Sequence, residues 1–109
     1  MKKLILIIGL FIVVNLQSQW EPVGDKIKTT WSENIDPNNV LQEYPRPILV
    51  RKKWKNLNGL WNYSITGKGQ SKPKSYDGKI LVPFAIESSL SGVQKRINED
   101  NELWYHHTF

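Results

Sequence analysis

The sequence predicts an all-β protein: an incomplete jelly-roll β-sandwich, preceded by a signal peptide and an extended lead-in. Three observations predict it: an apolar run near the start, a long stretch without periodicity, and short strand patterns separated by glycine and proline turns. The composition, 39% hydrophobic and 23% charged, is that of an ordinary globular protein. It argues against a collagen-like, disordered or multispan membrane chain.

Residues 1–18 have the layout of a secretory signal peptide. Lys2 and Lys3 give a positive start, the run from Leu4 to Leu16 is almost wholly apolar, and polar residues follow. An apolar core of about 7–15 residues is typical of such a signal, whereas a transmembrane helix needs about 20. We expect cleavage after Ser18 and a secreted or periplasmic protein without a stable membrane anchor. An uncleaved signal anchor is the alternative.

The chain is mildly basic and has no cysteine. Its formal net charge is +5, which falls by two when the signal is removed. So small an excess does not suggest nucleic acid as a partner. We interpret the densest basic cluster, Arg51–Lys55, as a solvated loop or strand edge rather than a basic-aromatic patch. Without disulfides, an exported domain must be stabilised by burial alone.

Residues 19–47 are predicted to form an extended N-terminal segment. Asp36–Asn39 is a turn signal, because Asp and Asn bond their own backbone and Pro fixes φ. The alternate prolines of Glu43–Pro47 exclude the residues before them from the α region and extend the chain. Trp20 and Trp31 would be costly to leave in water, so we expect this segment to lie across another surface.

The clearest strand pattern covers residues 60–66. Trp61, Tyr63 and Ile65 fall on one face and polar residues fall on the other, which is typical of a half-buried strand. Asn58-Gly59 before it suits a tight turn. Asn62-Tyr63-Ser64 also matches the N-glycosylation pattern, and we interpret that match as chance.

Further strand patterns follow the first one. Lys79–Val82 is a short apolar run that Pro83 ends, as expected for a buried strand. Phe84–Gly92 predicts a loop with one helical turn. Leu103–Phe109 alternates again and predicts a third strand, and Pro47–Val50 is a candidate for a fourth.

Residues 48–109 are therefore expected to form only part of a sandwich domain. Three or four strands do not close a sandwich, and the last predicted strand has no visible partner for its edge. Five tryptophans also need more partner surface than these strands supply. We expect the sequence to be a piece of a longer protein.

Five motifs carry a resemblance to a known family. They are Glu43–Pro47, Trp54–Tyr63, Ile80–Phe84, Glu87–Val93 and Leu103–Tyr105. In this order and at similar spacing, they resemble the N-terminal sugar-binding domain of family 2 glycoside hydrolases, which include β-galactosidases, β-glucuronidases and β-mannosidases. The resemblance covers residues 43–109 and implies a jelly roll like that of galactose-binding domains.

The resemblance also implies a function for the parent protein. In that family an immunoglobulin-like domain and a TIM barrel follow, and the barrel supplies the two glutamates of a retaining mechanism. None of the glutamates here lies in a matching context, so we assign no catalytic residue. They are Glu21, Glu33, Glu43, Glu87, Glu99 and Glu102. Glu99–Glu102 is acidic and closely spaced, and we interpret it as a solvated polar loop.

The implied protein is a glycoside hydrolase of which these residues alone are expected to be inactive. Its expected partners are a carbohydrate glycoside and the missing C-terminal domains of the same enzyme. No cofactor is expected, and no substrate-binding residue is assigned. His106 and His107 follow the last motif, where the family often carries two basic residues. Adjacent strand residues point to opposite faces, so we do not expect these histidines to bind one metal.

Two other interpretations stay open. The chain is a stand-alone secreted carbohydrate-binding or adhesion module if its tryptophans are exposed, because indole rings stack on sugar faces. Against this, the strand position of Trp61 favours burial. The third interpretation is an unfolded product of a split or frameshifted gene.

Overall fold

The computed structural model describes residues 20–109, so the predicted signal peptide at residues 1–18 lies outside the described part. Residues 20–109 are all-β in their regular structure, with one antiparallel sheet, three short 3-10 helices and no α-helix. The strands are β1 (Gly59–Gly67), β2 (Gly78–Val82) and β3 (Asn101–His106). Of the helices in this part of the chain, none has the length and apolar character to span a bilayer.

β1 is the central strand of the sheet, with β2 and β3 antiparallel to it on either side. The prediction for the apolar face of β1 is confirmed, because Tyr63 is buried in a cluster with Ile80 and Ile86. Partly buried apolar side chains pack against this cluster; they are Trp61, Ile65, Val93, Ile97 and Leu103. Aromatic and β-branched side chains suit such a pleated, half-buried surface.

The second face of the sheet is also partly covered. Ser64, predicted to lie on the polar face, is only 4% exposed. It pairs with Trp104 on β3, and the Trp104 Nε1–H donates to Thr66 Oγ1 at 2.9 Å. Tyr105 pairs with Tyr63 on the opposite face, so β3 places one aromatic ring on each side of the sheet.

The loop between β2 and β3 contains the predicted helical turn, a 3-10 helix over Ser89–Ser91. The hydroxyl of Ser91 is fully buried and donates to Ser88 O at 2.7 Å. It also accepts from Val93 N at 3.0 Å and from Gln94 N at 3.3 Å. The Ser91 side chain therefore forms hydrogen bonds to the backbone both before and after this turn.

The fourth strand predicted at Pro47–Val50 is wrong. Pro47–Leu49 is a 3-10 helix, closed by a bond from Leu49 N to Arg46 O at 3.0 Å. Ile48 is 94% exposed and Leu49 and Val50 are each 67% exposed, so these three side chains present no buried face. Proline provides no N–H for a ladder, which favours a turn over a strand here.

The limits of β3 also differ from the prediction. The strand starts at Asn101 and ends at His106 instead of continuing to Phe109. Asn101 and Glu102 belong to β3 because they pair with Gly67 and Thr66 at the C-terminal end of β1. Glu102 is therefore a strand residue, and the predicted polar loop over residues 99–102 is wrong for that part.

The lead-in is held against the sheet and its loop at separate points. Val23 N donates to Ser89 O at 3.0 Å, and Val40 is 3% exposed. Asn58 Nδ2 donates to Val40 O at 3.3 Å. A 3-10 helix over Thr30–Asn34 interrupts the otherwise irregular backbone. The predicted domain boundary at residue 48 stays a prediction.

Candidate functional surface

An open groove of about 560 Å³ lies beside Trp54. Trp54 is 44% exposed and forms one wall. Other lining residues are Glu43, Pro45, Lys55, Asn58 and Pro83. This Trp54 groove therefore combines an aromatic ring with one carboxylate and one ammonium group.

Tyr44 holds the Trp54 side of the groove in place. Its ring meets the indole of Trp54 edge-on, with the centroids 5.1 Å apart. Its hydroxyl donates to Leu49 O at 3.0 Å and accepts from Arg51 N at 3.3 Å. Tyr44 thus holds both the Trp54 ring and the preceding loop of residues 49–51.

Asn56 and Asn58 hold the opposite side. Asn56 Nδ2 donates to Leu41 O at 2.7 Å, and its Oδ1 accepts from Asn58 N at 2.7 Å. Gly59 follows with a φ of 133°, a backbone conformation that favours glycine. The Asn-Leu-Asn-Gly motif therefore makes the turn into β1 and fastens the lead-in. The sequence showed the turn, but not this second role.

The basic cluster lies along the same segment of chain. Arg51, Lys52, Lys53 and Lys55 are all exposed, so the cluster is on a solvated loop. Lys55 lines the groove, and its Nζ lies 5.7 Å from the ring centroid of Phe109. One ammonium group, that of Lys55, therefore lies at the groove, and the other three cations are exposed within three positions of Trp54 along the chain.

His106, at the end of β3, and the adjacent His107 each stack on an aromatic ring. The His107 ring stacks on Trp61 with centroids 5.0 Å apart and an angle of 9° between the planes. His106 instead stacks on Tyr76 at 5.1 Å, and its Nδ1 lies 3.5 Å from Asn62 Nδ2. The two histidines therefore contact different neighbours across the sheet. Between residues 20 and 109, no group of three His, Asp or Glu side chains is placed to hold a metal ion.

Tyr105 contacts the edge of Trp61, with ring centroids 6.4 Å apart. Burial raises the pKa of the Tyr105 phenol above its ordinary value, and the negative charge of Glu87 adds to the effect. Both causes disfavour the phenolate. The Tyr105 phenol therefore ionises at a higher pH than an ordinary tyrosine.

The glutamates considered in the sequence are distributed over different elements. Glu43 lines the Trp54 groove, Glu87 lies in the loop after β2, and Glu102 accepts from Gly69 N at 3.2 Å. Glu102 is half-buried, and the other five are exposed. The glycosylation pattern falls at Asn62 in the central strand, where Ser64 is buried. Asn62 itself is half-buried, and the match stays interpreted as chance.

The tryptophans divide into two groups. Trp20, Trp61 and Trp104 are half-buried, and His107 covers a face of the Trp61 ring. Trp31 is 83% exposed and Trp54 is 44% exposed. Only these two, among the tryptophans of residues 20–109, offer a platform to a ligand.

Comparison of the chain with protein-family models and with curated proteins finds no match. The resemblance to family 2 glycoside hydrolases therefore stays a prediction, based on the motifs of residues 43–109.

Proposed function

We propose that this chain is the N-terminal part of an exported glycoside hydrolase, and that it serves as a scaffold and sugar-binding domain without catalytic residues. The observation that carries the proposal is the position of the five motifs, all of which contribute to one sheet-and-loop unit. Tyr44 braces Trp54, the Asn-Leu-Asn-Gly turn fastens the lead-in, and Ser91 organises the loop after β2. If the five motifs come from one domain family, we expect each of them to have its own structural role in a single folded unit.

The surface of the unit supports a larger assembly. β2 and β3 each pair only with β1, so each leaves one edge without a partner strand within residues 20–109. Ile48, Leu49 and Val50 are exposed side by side, the last two at 67%. Free edges and contiguous apolar side chains favour association with further protein. In the proposed enzyme, further strands complete the jelly roll and other domains cover this surface.

None of the glutamates lies in a sequence context that resembles the family's catalytic motifs, so the proposal gives this chain a scaffold role. Retaining hydrolysis uses two carboxyl groups about 5–5.5 Å apart, held rigidly across the scissile bond. Glu43, Glu87 and Glu102 lie on the lead-in, a loop and a strand, and the first two are exposed. The proposal therefore assigns the acid/base and the nucleophile to another domain of the parent enzyme.

The test is hydrolysis of chromogenic aryl β-galactosides, β-glucuronides and β-mannosides. We expect the proposed parent enzyme to hydrolyse one of them with retention of anomeric configuration. The 109-residue chain alone is expected to be inactive. Hydrolysis by the 109-residue chain, or none by the proposed parent enzyme on any of these substrates, would contradict the proposal.

A stand-alone secreted carbohydrate-binding or adhesion module is the second candidate. The exposure of Trp31 and Trp54 favours it, since neither ring is taken up by a core. Such a module must function without further domains, so a gene that ends at Phe109, together with a chain that folds cooperatively alone, would favour it over the scaffold. A chain unfolded under native conditions would favour the split-gene product.

A further inference from the structure

We propose that the Trp54 groove and the adjoining basic residues bind an anionic polysaccharide, with a sugar ring on Trp54 and its carboxylate near the cations. The inference gives a ligand class to the proposed sugar-binding domain, and in that respect it rests on the proposed function. It requires no catalytic activity from the chain.

The platform is the exposed ring of Trp54. A pyranose has one face on which C–H groups gather, and their small positive charge is attracted to the negative face of an indole. Tyr44 contacts Trp54 edge-on at 5.1 Å and is itself held by two hydrogen bonds of its hydroxyl. A ring fixed in this way loses little conformational freedom when a ligand binds.

The charge of the ligand follows from the residues around the platform. Arg51, Lys52, Lys53 and Lys55 put four cations within five positions, and all four are exposed. Lys55 itself lines the groove, while Arg51 is fixed through its backbone N–H by Tyr44. A cluster of one sign of charge beside a groove attracts ligands of the opposite sign. Carboxylates repeated along a polysaccharide can meet several of these cations.

A nucleic acid is a poorer fit to the same surface. Single strands are bound by successive aromatic rings along a basic groove, and duplexes by a basic face over much of a domain. The groove has one aromatic ring in its lining, that of Trp54, rather than a succession of rings. One ring and a short row of cations suit a chain of charged sugars better.

The test is affinity electrophoresis of the full 109-residue chain in native gels. The probes are polygalacturonate, its methyl-esterified form, which has the same backbone without the charge, and duplex DNA. We expect retardation by polygalacturonate that weakens with added salt and is much smaller with the ester or DNA. Trp54→Ala is expected to weaken binding by about tenfold, the size typical of a lost stacking contact.

Matched variants separate the site from general charge. Lys52→Gln/Lys53→Gln should weaken retardation, whereas Lys72→Gln/Lys74→Gln, which removes the same charge on another exposed loop, should not. Trp31→Ala controls for loss of any exposed indole, and Trp54→Phe should retain part of the binding if the ring acts as a platform. Circular dichroism checks that each variant keeps the sheet.

Three results would overturn the inference: no retardation, equal retardation of Trp54→Ala and the unmodified chain, or equal binding to DNA and polygalacturonate. The proposed function is tested separately by aryl glycoside hydrolysis with the proposed parent enzyme. Hydrolysis without polygalacturonate binding would therefore overturn this inference alone.

Discussion

Ser91→Ala removes the hydroxyl around which the loop between β2 and β3 is built. Ser91 is fully buried, and its oxygen accepts from Val93 N at 3.0 Å and from Gln94 N at 3.3 Å. It also donates to Ser88 O at 2.7 Å. An alanine side chain fits the same space but forms none of these hydrogen bonds.

The expected loss follows from the groups left without a partner. Each buried polar group deprived of its hydrogen bond costs about 1–3 kcal/mol. Because water can reach the half-buried Val93 and Gln94, we expect a total of about 2 kcal/mol, which is less than the sum for three fully buried groups. Five hydrophobic side chains, Val40, Tyr63, Ile80, Leu81 and Ile86, are buried in residues 20–109. The loss is therefore a large fraction of a stability at the low end of about 5–15 kcal/mol.

Urea unfolding followed by tryptophan emission measures the loss, and amide hydrogen exchange locates it. Val93 and Gln94 should lose protection in Ser91→Ala, while amides of β1 change less. Ser75→Ala, at an exposed serine, is the matched control and should leave the midpoint unchanged. If Ser91→Ala unfolds at the same urea concentration as that control, the reasoning about this hydroxyl is refuted.

Four further predictions concern the loop, β3 and the exposed surface. Gly92→Ala should destabilise the chain in urea unfolding, because φ is 78° and a Cβ would lie 2.7 Å from Trp20 Cδ1; an unchanged midpoint would contradict the packing. The raised pKa of Tyr105 should cause stability to fall as pH rises above about 10, since ionisation is easier in the unfolded chain. In ultraviolet titration, Glu87→Gln should lower that pKa only part of the way, because burial is the larger cause; a full return to the ordinary value would contradict this order. The isolated chain should bind a dye specific for exposed apolar surface, whereas replacing Ile48 and Leu49 by Ser should reduce that binding; no reduction would contradict their exposure.

The strands were predictable where local pattern and burial agree. Trp61, Tyr63 and Ile65 alternate on β1, and Pro83 ends β2, because the period of a pleated strand and the missing N–H of proline are local properties. The apolar run Pro47–Val50 misled because its hydrophobicity suggests a strand. The hydroxyl of Tyr44 and the bond to Arg46 hold it as a turn instead.

The candidate site depends on contacts that no local pattern contains. Asn56 bonds to Leu41 across 15 positions, and Tyr44 braces Trp54 from the lead-in. The sequence showed that Arg51–Lys55 is basic and contains an indole, but not that a groove lies beside it. The exposure of each tryptophan likewise depends on packing. His107 covers one face of Trp61, whereas Trp54 stays 44% exposed.

The most direct test of the central claim is to sequence the coding DNA or transcript beyond the codon for Phe109. The proposal predicts an open reading frame that continues through an immunoglobulin-like domain and a TIM barrel, with two glutamates in the barrel placed for retaining hydrolysis. A stop codon directly after Phe109 would contradict it. That result would leave a binding module or a gene remnant in place of the enzyme.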